Sequence, residues 1–77
     1  MVSYKDAVSL GMNRVEIDDV GFYDEFGYEC FYLEKELTMG TLYWYPDTRE
    51  FAFVVKSNHQ PVKGFKEAQL LIEIYSL

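Results

Sequence analysis

The chain has 77 residues, 49% of them apolar and 26% charged, the balance of one small globular domain rather than a disordered segment. Thirteen acidic against seven basic residues leave a formal charge of −6. That sign argues against nucleic-acid binding by phosphate neutralisation and against a polybasic membrane-surface module.

Met1 to Asp6 lacks the apolar run of a signal peptide, and no apolar stretch approaches the roughly 20 residues of a membrane helix. Cys30 is the single cysteine, so no intrachain disulfide can staple the fold. A core, a dimer contact or both must hold it together. The expected location is the cytoplasm, with no membrane partner.

Ser3-Tyr4-Lys5-Asp6 pairs an N-cap residue with an acid three positions on. Ala7, Val8 and Leu10 continue a short helix that Gly11 can end. From Arg14 to about Tyr23 the chain alternates at first, Val15 and Ile17 against Glu16 and Asp18. Asp19 breaks the alternation, and a bulge near Asp18-Asp19 is one way to restore it. Asp24-Glu25-Phe26-Gly27 is a turn, and Tyr28 to Leu37 is a long strand. Thr38 to Thr41 is a tight reversal in which Gly40 can supply a positive φ. Leu42 to Tyr45 and Glu50 to Lys56 are strands flanking Pro46-Asp47-Thr48-Arg49. Ser57 to Gly64 is a loop. Phe65, Ala68, Leu71, Ile72 and Tyr75 then recur at helical spacing.

Strand register can be inferred from the turns. With Tyr45 opposite Glu50, Trp44 faces Phe51 and Leu42 faces Phe53. With Thr38 opposite Thr41, Leu37 faces Leu42, Lys35 faces Trp44, Glu36 faces Tyr43 and Glu34 faces Tyr45. Both hairpins then agree on one apolar face: Phe31, Leu33, Leu37, Leu42, Trp44, Phe51, Phe53 and Val55. The other face carries Tyr28, Cys30, Tyr32, Glu34, Glu36, Tyr43 and Tyr45, with Ala52 and Val54. A one-residue slip would exchange the faces wholesale. The expected fold is α+β: an antiparallel sheet of about four strands with a C-terminal helix and a short N-terminal helix on one face.

Charge is concentrated. Residues 16–36 hold eight acids and the single base Lys35, a net −7, whereas residues 1–15 and 56–77 are each +1. Asp18, Asp19, Asp24 and Glu25 place acid on the first hairpin, and Glu34 and Glu36 place it among the tyrosines. One expectation is a docking surface for a basic protein, steered by charge and anchored by Tyr. The simpler one is a solvated face that keeps a small domain soluble.

Residues for other chemistry are sparse. His59 is the only histidine, expected in a loop and far from Cys30 on its strand, so a Cys/His dyad is not anticipated. Zinc lacks a ligand set. Asp18 to Glu29 has the length and the ends of a calcium loop, yet Val20, Phe22 and Tyr23 stand at its third, fifth and sixth positions. The pairs Asp18/Asp19 and Asp24/Glu25 would need a water-excluding cleft for acid/base work, and one sheet under one main helix offers little volume for that. No cofactor and no catalytic residue is expected.

Thr41 to Tyr75, with Trp44, the Phe51/Phe53 strand, Gly64-Phe65 and Ala68, resembles in outline the small sheet-plus-helix DNA-binding domains of phage integrases. Those domains read DNA with a basic sheet face. Here the corresponding face carries Glu34, Glu36, Tyr43 and Tyr45, so the resemblance implies architecture and not DNA binding. By size and charge the chain is also similar to bacteriophage accessory proteins that modulate host factors, DNA mimics among them. The expected function is therefore non-catalytic binding of a protein with a basic surface, nucleic-acid-handling proteins among the candidates, through Tyr28, Tyr32, Glu34, Glu36, Tyr43 and Tyr45 and the acidic hairpin. The alternatives are a homodimeric structural subunit whose Tyr face is self-complementary and, last, a small enzyme.

Overall fold

A computed structural model describes residues 1–16 and 31–76. Helix α1 (Tyr4–Ser9) precedes strands β1 (Asn13–Glu16), β2 (Phe31–Glu36), β3 (Thr41–Tyr45), β4 (Glu50–Val55) and β5 (Asn58–Val62), and helix α2 (Gly64–Tyr75) closes the fold. The strands form one antiparallel sheet in the order β1-β2-β3-β4-β5. Chain neighbours are thus neighbours in space, the arrangement short connections favour. The class is α+β, as the sequence predicts, with five strands instead of about four. Among the described residues no helix is long and apolar enough to cross a membrane.

The additional strand is β5, which the sequence presents as a loop. Asn58, His59, Gln60 and Pro61 are all exposed, and only Val62 is buried. An edge strand needs no second neighbour, so it tolerates polar residues and a proline without a donor. His59 therefore lies on an edge strand beside Val54, not in a loop.

The ends of α1 follow the expected chemistry. Ser3 Oγ accepts from the Asp6 N–H at 3.1 Å, satisfying one orphan donor of the first turn. Gly11 ends the helix with φ +82°, its N–H donating to the Val8 carbonyl. At α2 the Glu67 carboxylate reaches back to accept from the Lys63 N–H at 2.8 Å. The predicted stripe of α2 faces the sheet: Ala68 is fully buried, and Phe65, Leu71, Ile72 and Tyr75 pack against the core.

All eight residues assigned to the apolar sheet face are in or against that core. Val2, Ala7 and Met12 from the N-terminal segment cover one part of it, and Ala68 from α2 another. Trp44 is the largest fully buried side chain, and its Nε1 donates to the Val2 carbonyl at 3.1 Å. The Val2 N–H in turn donates to Arg49 O, so the first residues are strapped across the β3–β4 end of the sheet.

One register differs from expectation. The β3–β4 pairs are as predicted, Trp44 opposite Phe51 and Leu42 opposite Phe53. Between β2 and β3, however, Leu33 lies opposite Trp44, Glu34 opposite Tyr43, Lys35 opposite Leu42 and Glu36 opposite Thr41. The reversal runs through Thr38 and Met39, with the Leu37 N–H donating to Gly40 O at 2.8 Å. That shifts the pairing by two residues, which preserves the faces because side chains alternate with period two. Gly40 has no positive φ. Its requirement is steric: a Cβ there would stand 2.2 Å from the Val54 carbonyl oxygen.

Candidate partner-binding face

The sheet has a second face, and both helices lie on the first. Tyr32 of β2 and Tyr43 and Tyr45 of β3 form an aromatic row on this second face. Tyr32 meets Tyr43 edge-on at 5.7 Å between ring centroids, and Tyr43 and Tyr45 are nearly parallel at 6.1 Å. These separations fall within the favourable range for aromatic pairs. Period-two alternation along β2 and β3 places all three rings together.

Glu34 stands directly opposite Tyr43, half-buried, whereas Glu36 is exposed opposite Thr41. The two-residue shift thus corrects the expected partners: Tyr43 is paired with Glu34, not Glu36, and Tyr45 is not opposite Glu34. Ala52 lies on the far side of Tyr43 and Glu50 opposite Tyr45. On β1, Val15 is opposite Tyr32 and Asn13 opposite Glu34. No Lys or Arg occupies a described register position of this face. The two bases of β1 and β2, Arg14 and Lys35, have the opposite parity, opposite Leu33 and Leu42.

Asp18, Asp19, Asp24, Glu25 and Tyr28, with Cys30 and the proposed bulge, lie outside the described residues. Of the predicted site residues, the described structure brings together Tyr32, Glu34, Tyr43 and Tyr45 and leaves Glu36 at the margin.

Burial raises the Tyr32 hydroxyl above the ordinary phenol range, and the neighbouring Glu34 carboxylate and Tyr43 add to the shift. Tyr45 is raised mainly by burial too, then by Tyr43, Tyr32 and Asp47. Both therefore remain neutral O–H groups, able to donate, throughout the physiological range. The sign for stability follows. A phenol whose folded pKa lies above its unfolded value of about 10 favours the fold below that pH, and the contribution is lost as pH climbs through the folded value. In an alkaline ultraviolet titration the folded chain should show a late-ionising tyrosine component. Tyr32→Phe and Tyr45→Phe should each remove part of it; a wild-type curve matching free tyrosine would contradict the packed aromatic row.

Arg14 is a residue that sequence reasoning missed. Its guanidinium carbon lies 3.9 Å from the Phe31 ring centroid and 5.8 Å from that of Tyr4. Nε donates to the Glu16 carboxylate and Nη1 to the Tyr4 hydroxyl. The Arg-x-Glu alternation at 14 and 16 was the available signal.

A cavity of about 530 Å³ opens elsewhere, among Val2, Arg49, Phe51, Pro61, Val62 and Lys63; it contains none of the predicted site residues. Among the described residues no three His, Cys, Asp or Glu side chains group as metal ligands. Comparison with protein-family models, with curated proteins and with solved structures finds no match.

Proposed function

We propose that this chain is a non-catalytic binding protein whose Tyr/Glu sheet face engages a basic surface of another protein. The observation that carries the reading is the aromatic row Tyr32-Tyr43-Tyr45 with Glu34 set against Tyr43, on a face with no Lys or Arg at a described register position and no described helix over it. Half-buried tyrosines offer large contact area at low entropic cost, and flanking carboxylates steer a cationic partner. The net −7 of residues 16–36 supports the same sign of partner. Extended basic surfaces are the mark of nucleic-acid-handling proteins, which makes such a protein the favoured target and a viral modulator or DNA mimic the favoured role. A homodimer through this face is disfavoured, because it would bring together two copies of a surface that carries Glu34, Glu36 and Glu50 and no Lys or Arg at a described register position to offset them.

The test is an affinity pull-down at low and high salt, followed by kinetics on the captured partner. Tyr43→Ala with Tyr45→Ala should weaken binding by roughly 30-fold or more, as loss of central aromatic anchors does. Glu34→Lys with Glu36→Lys should slow association by about tenfold at low salt, with the difference shrinking as salt is added. Capture unchanged by charge reversal at every ionic strength would leave the acids with solubility alone. A concentration-dependent mass would restore the dimer.

A further inference from the structure

We infer that the face is built for arginine in particular: its partner presents guanidinium groups seated on Tyr43 beside Glu34. The inference rests on the proposed binding reading and narrows it.

The chain itself contains the template. Arg14 lies over the Phe31 ring, donates to a carboxylate at Glu16 and donates to a phenol oxygen at Tyr4. An aromatic face, a carboxylate and a phenol oxygen thus meet at one guanidinium. The Tyr face repeats this set across two strands. Tyr43 supplies a ring, Glu34 directly opposite supplies the carboxylate, and the neighbouring rings of Tyr32 and Tyr45, 5.7 and 6.1 Å away between centroids, carry the phenol groups. Directly opposed residues have Cβ atoms about 4.5–5.5 Å apart, so a group stacked on Tyr43 is within reach of Glu34. The element missing from the set is the guanidinium, since no described register position of this face holds Lys or Arg, and its one imidazole, His59, lies on edge strand β5 beside Val54.

Arginine fits this set better than lysine. Guanidinium is planar and weakly hydrated, so it stacks on a ring while its edge donates to a carboxylate. An ammonium is a strongly hydrated point charge that would pair with Glu34 and leave the rings unused.

The experiment titrates the full chain with fluorescent hexa-arginine and hexalysine, matched in length and charge. Hexa-arginine should bind at least about tenfold more tightly. Tyr43→Leu should reduce it to the hexalysine level while leaving hexalysine unchanged, and Tyr43→Phe should retain the preference. In the wild type, nuclear Overhauser contacts should join arginine side-chain protons to Tyr43 ring protons, a readout that does not depend on a variant folding. Equal binding of the two peptides, both weakened by Glu34→Gln, would overturn the arginine inference and leave the basic-partner reading standing. An arginine preference that survives Tyr43→Leu, without contacts to the Tyr43 ring, would also overturn it. Failure of both peptides to bind would remove both readings.

Discussion

Trp44→Ala is expected to abolish the cooperative fold. Trp44 is 2% exposed, sits between Leu33 and Phe51 across its two neighbouring strands, and lies 6.1 Å from the Tyr4 ring. Truncating a buried Trp costs about 3–5 kcal/mol. Whole-domain stability is typically about 5–15 kcal/mol, and a chain this short belongs at the low end. A second loss adds to the first. The Val2 carbonyl accepts from Trp44 Nε1, and an acceptor left unpaired in a buried position costs about 1–3 kcal/mol more. Val2 is also tied to Arg49, so the N-terminal strap and α1 should loosen together. Near-ultraviolet circular dichroism and amide dispersion should both collapse. Phe53→Ala should behave similarly, because Phe53 is buried opposite Leu42 and stacks on Tyr75 of α2. Trp44→Phe keeps most of the ring volume and should fold with a lowered melting temperature. A Trp44→Ala protein melting close to wild type would mean that the two sheet faces have been exchanged, and the binding surface with them.

The residues that made the faces legible share one property: their period survives errors elsewhere. Leu33, Leu42, Trp44, Phe51 and Phe53 alternate with Tyr32, Glu34, Tyr43, Tyr45, Glu50, Ala52 and Val54 over three adjacent strands, so a two-residue error in the β2–β3 register left every side chain on its proper face. The same error did misassign contacts within the site, giving Tyr43 to Glu36 in place of Glu34. Turn geometry decided that, and a Thr-Met-Gly-Thr run is compatible with reversal at either central pair. β5 escaped notice because an edge strand with one inward residue, Val62, has no alternation to detect. Arg14 escaped because a cation covering a ring at the sheet margin looks, in sequence, like any solvated charge. The α1 cap and the α2 stripe were legible since both depend on residues a few positions apart.

Gly40 supplies the second large effect, for a reason the sequence does not display. Its backbone is not in the left-handed region, so most residues could adopt its conformation. The obstacle is β4: a Cβ at position 40 would meet the Val54 carbonyl oxygen at 2.2 Å and a Val55 methyl at 3.1 Å. A rotamer change can relieve the second contact, but the first sets a Cβ, fixed by its own backbone, against a backbone carbonyl and can be relieved only by separating strands. Separation at this point acts on more than one pairing. The Leu37 N–H closes the turn on Gly40 O, and the next N–H, of Thr38, donates to Tyr75 O at the end of α2. Displacing Gly40 therefore strains the β2–β3 turn and the attachment of α2 together. Overpacking typically costs about 1–3 kcal/mol, and a site this unyielding belongs at the top of that range. For a domain of this size Gly40→Ala should lower the melting temperature by roughly 10–20 °C. Gly11→Ala is the comparison: its φ is positive, but its nearest neighbour is the flexible end of Lys35 at 3.4 Å. It should incur left-handed strain of about 1–2 kcal/mol, partly offset by the reduced entropy of the unfolded chain. Gly40→Ala should therefore be the more damaging of the two, even though only Gly11 needs a glycine's dihedral freedom. The reverse order in thermal melts would show that β3 and β4 do not approach so closely at Gly40.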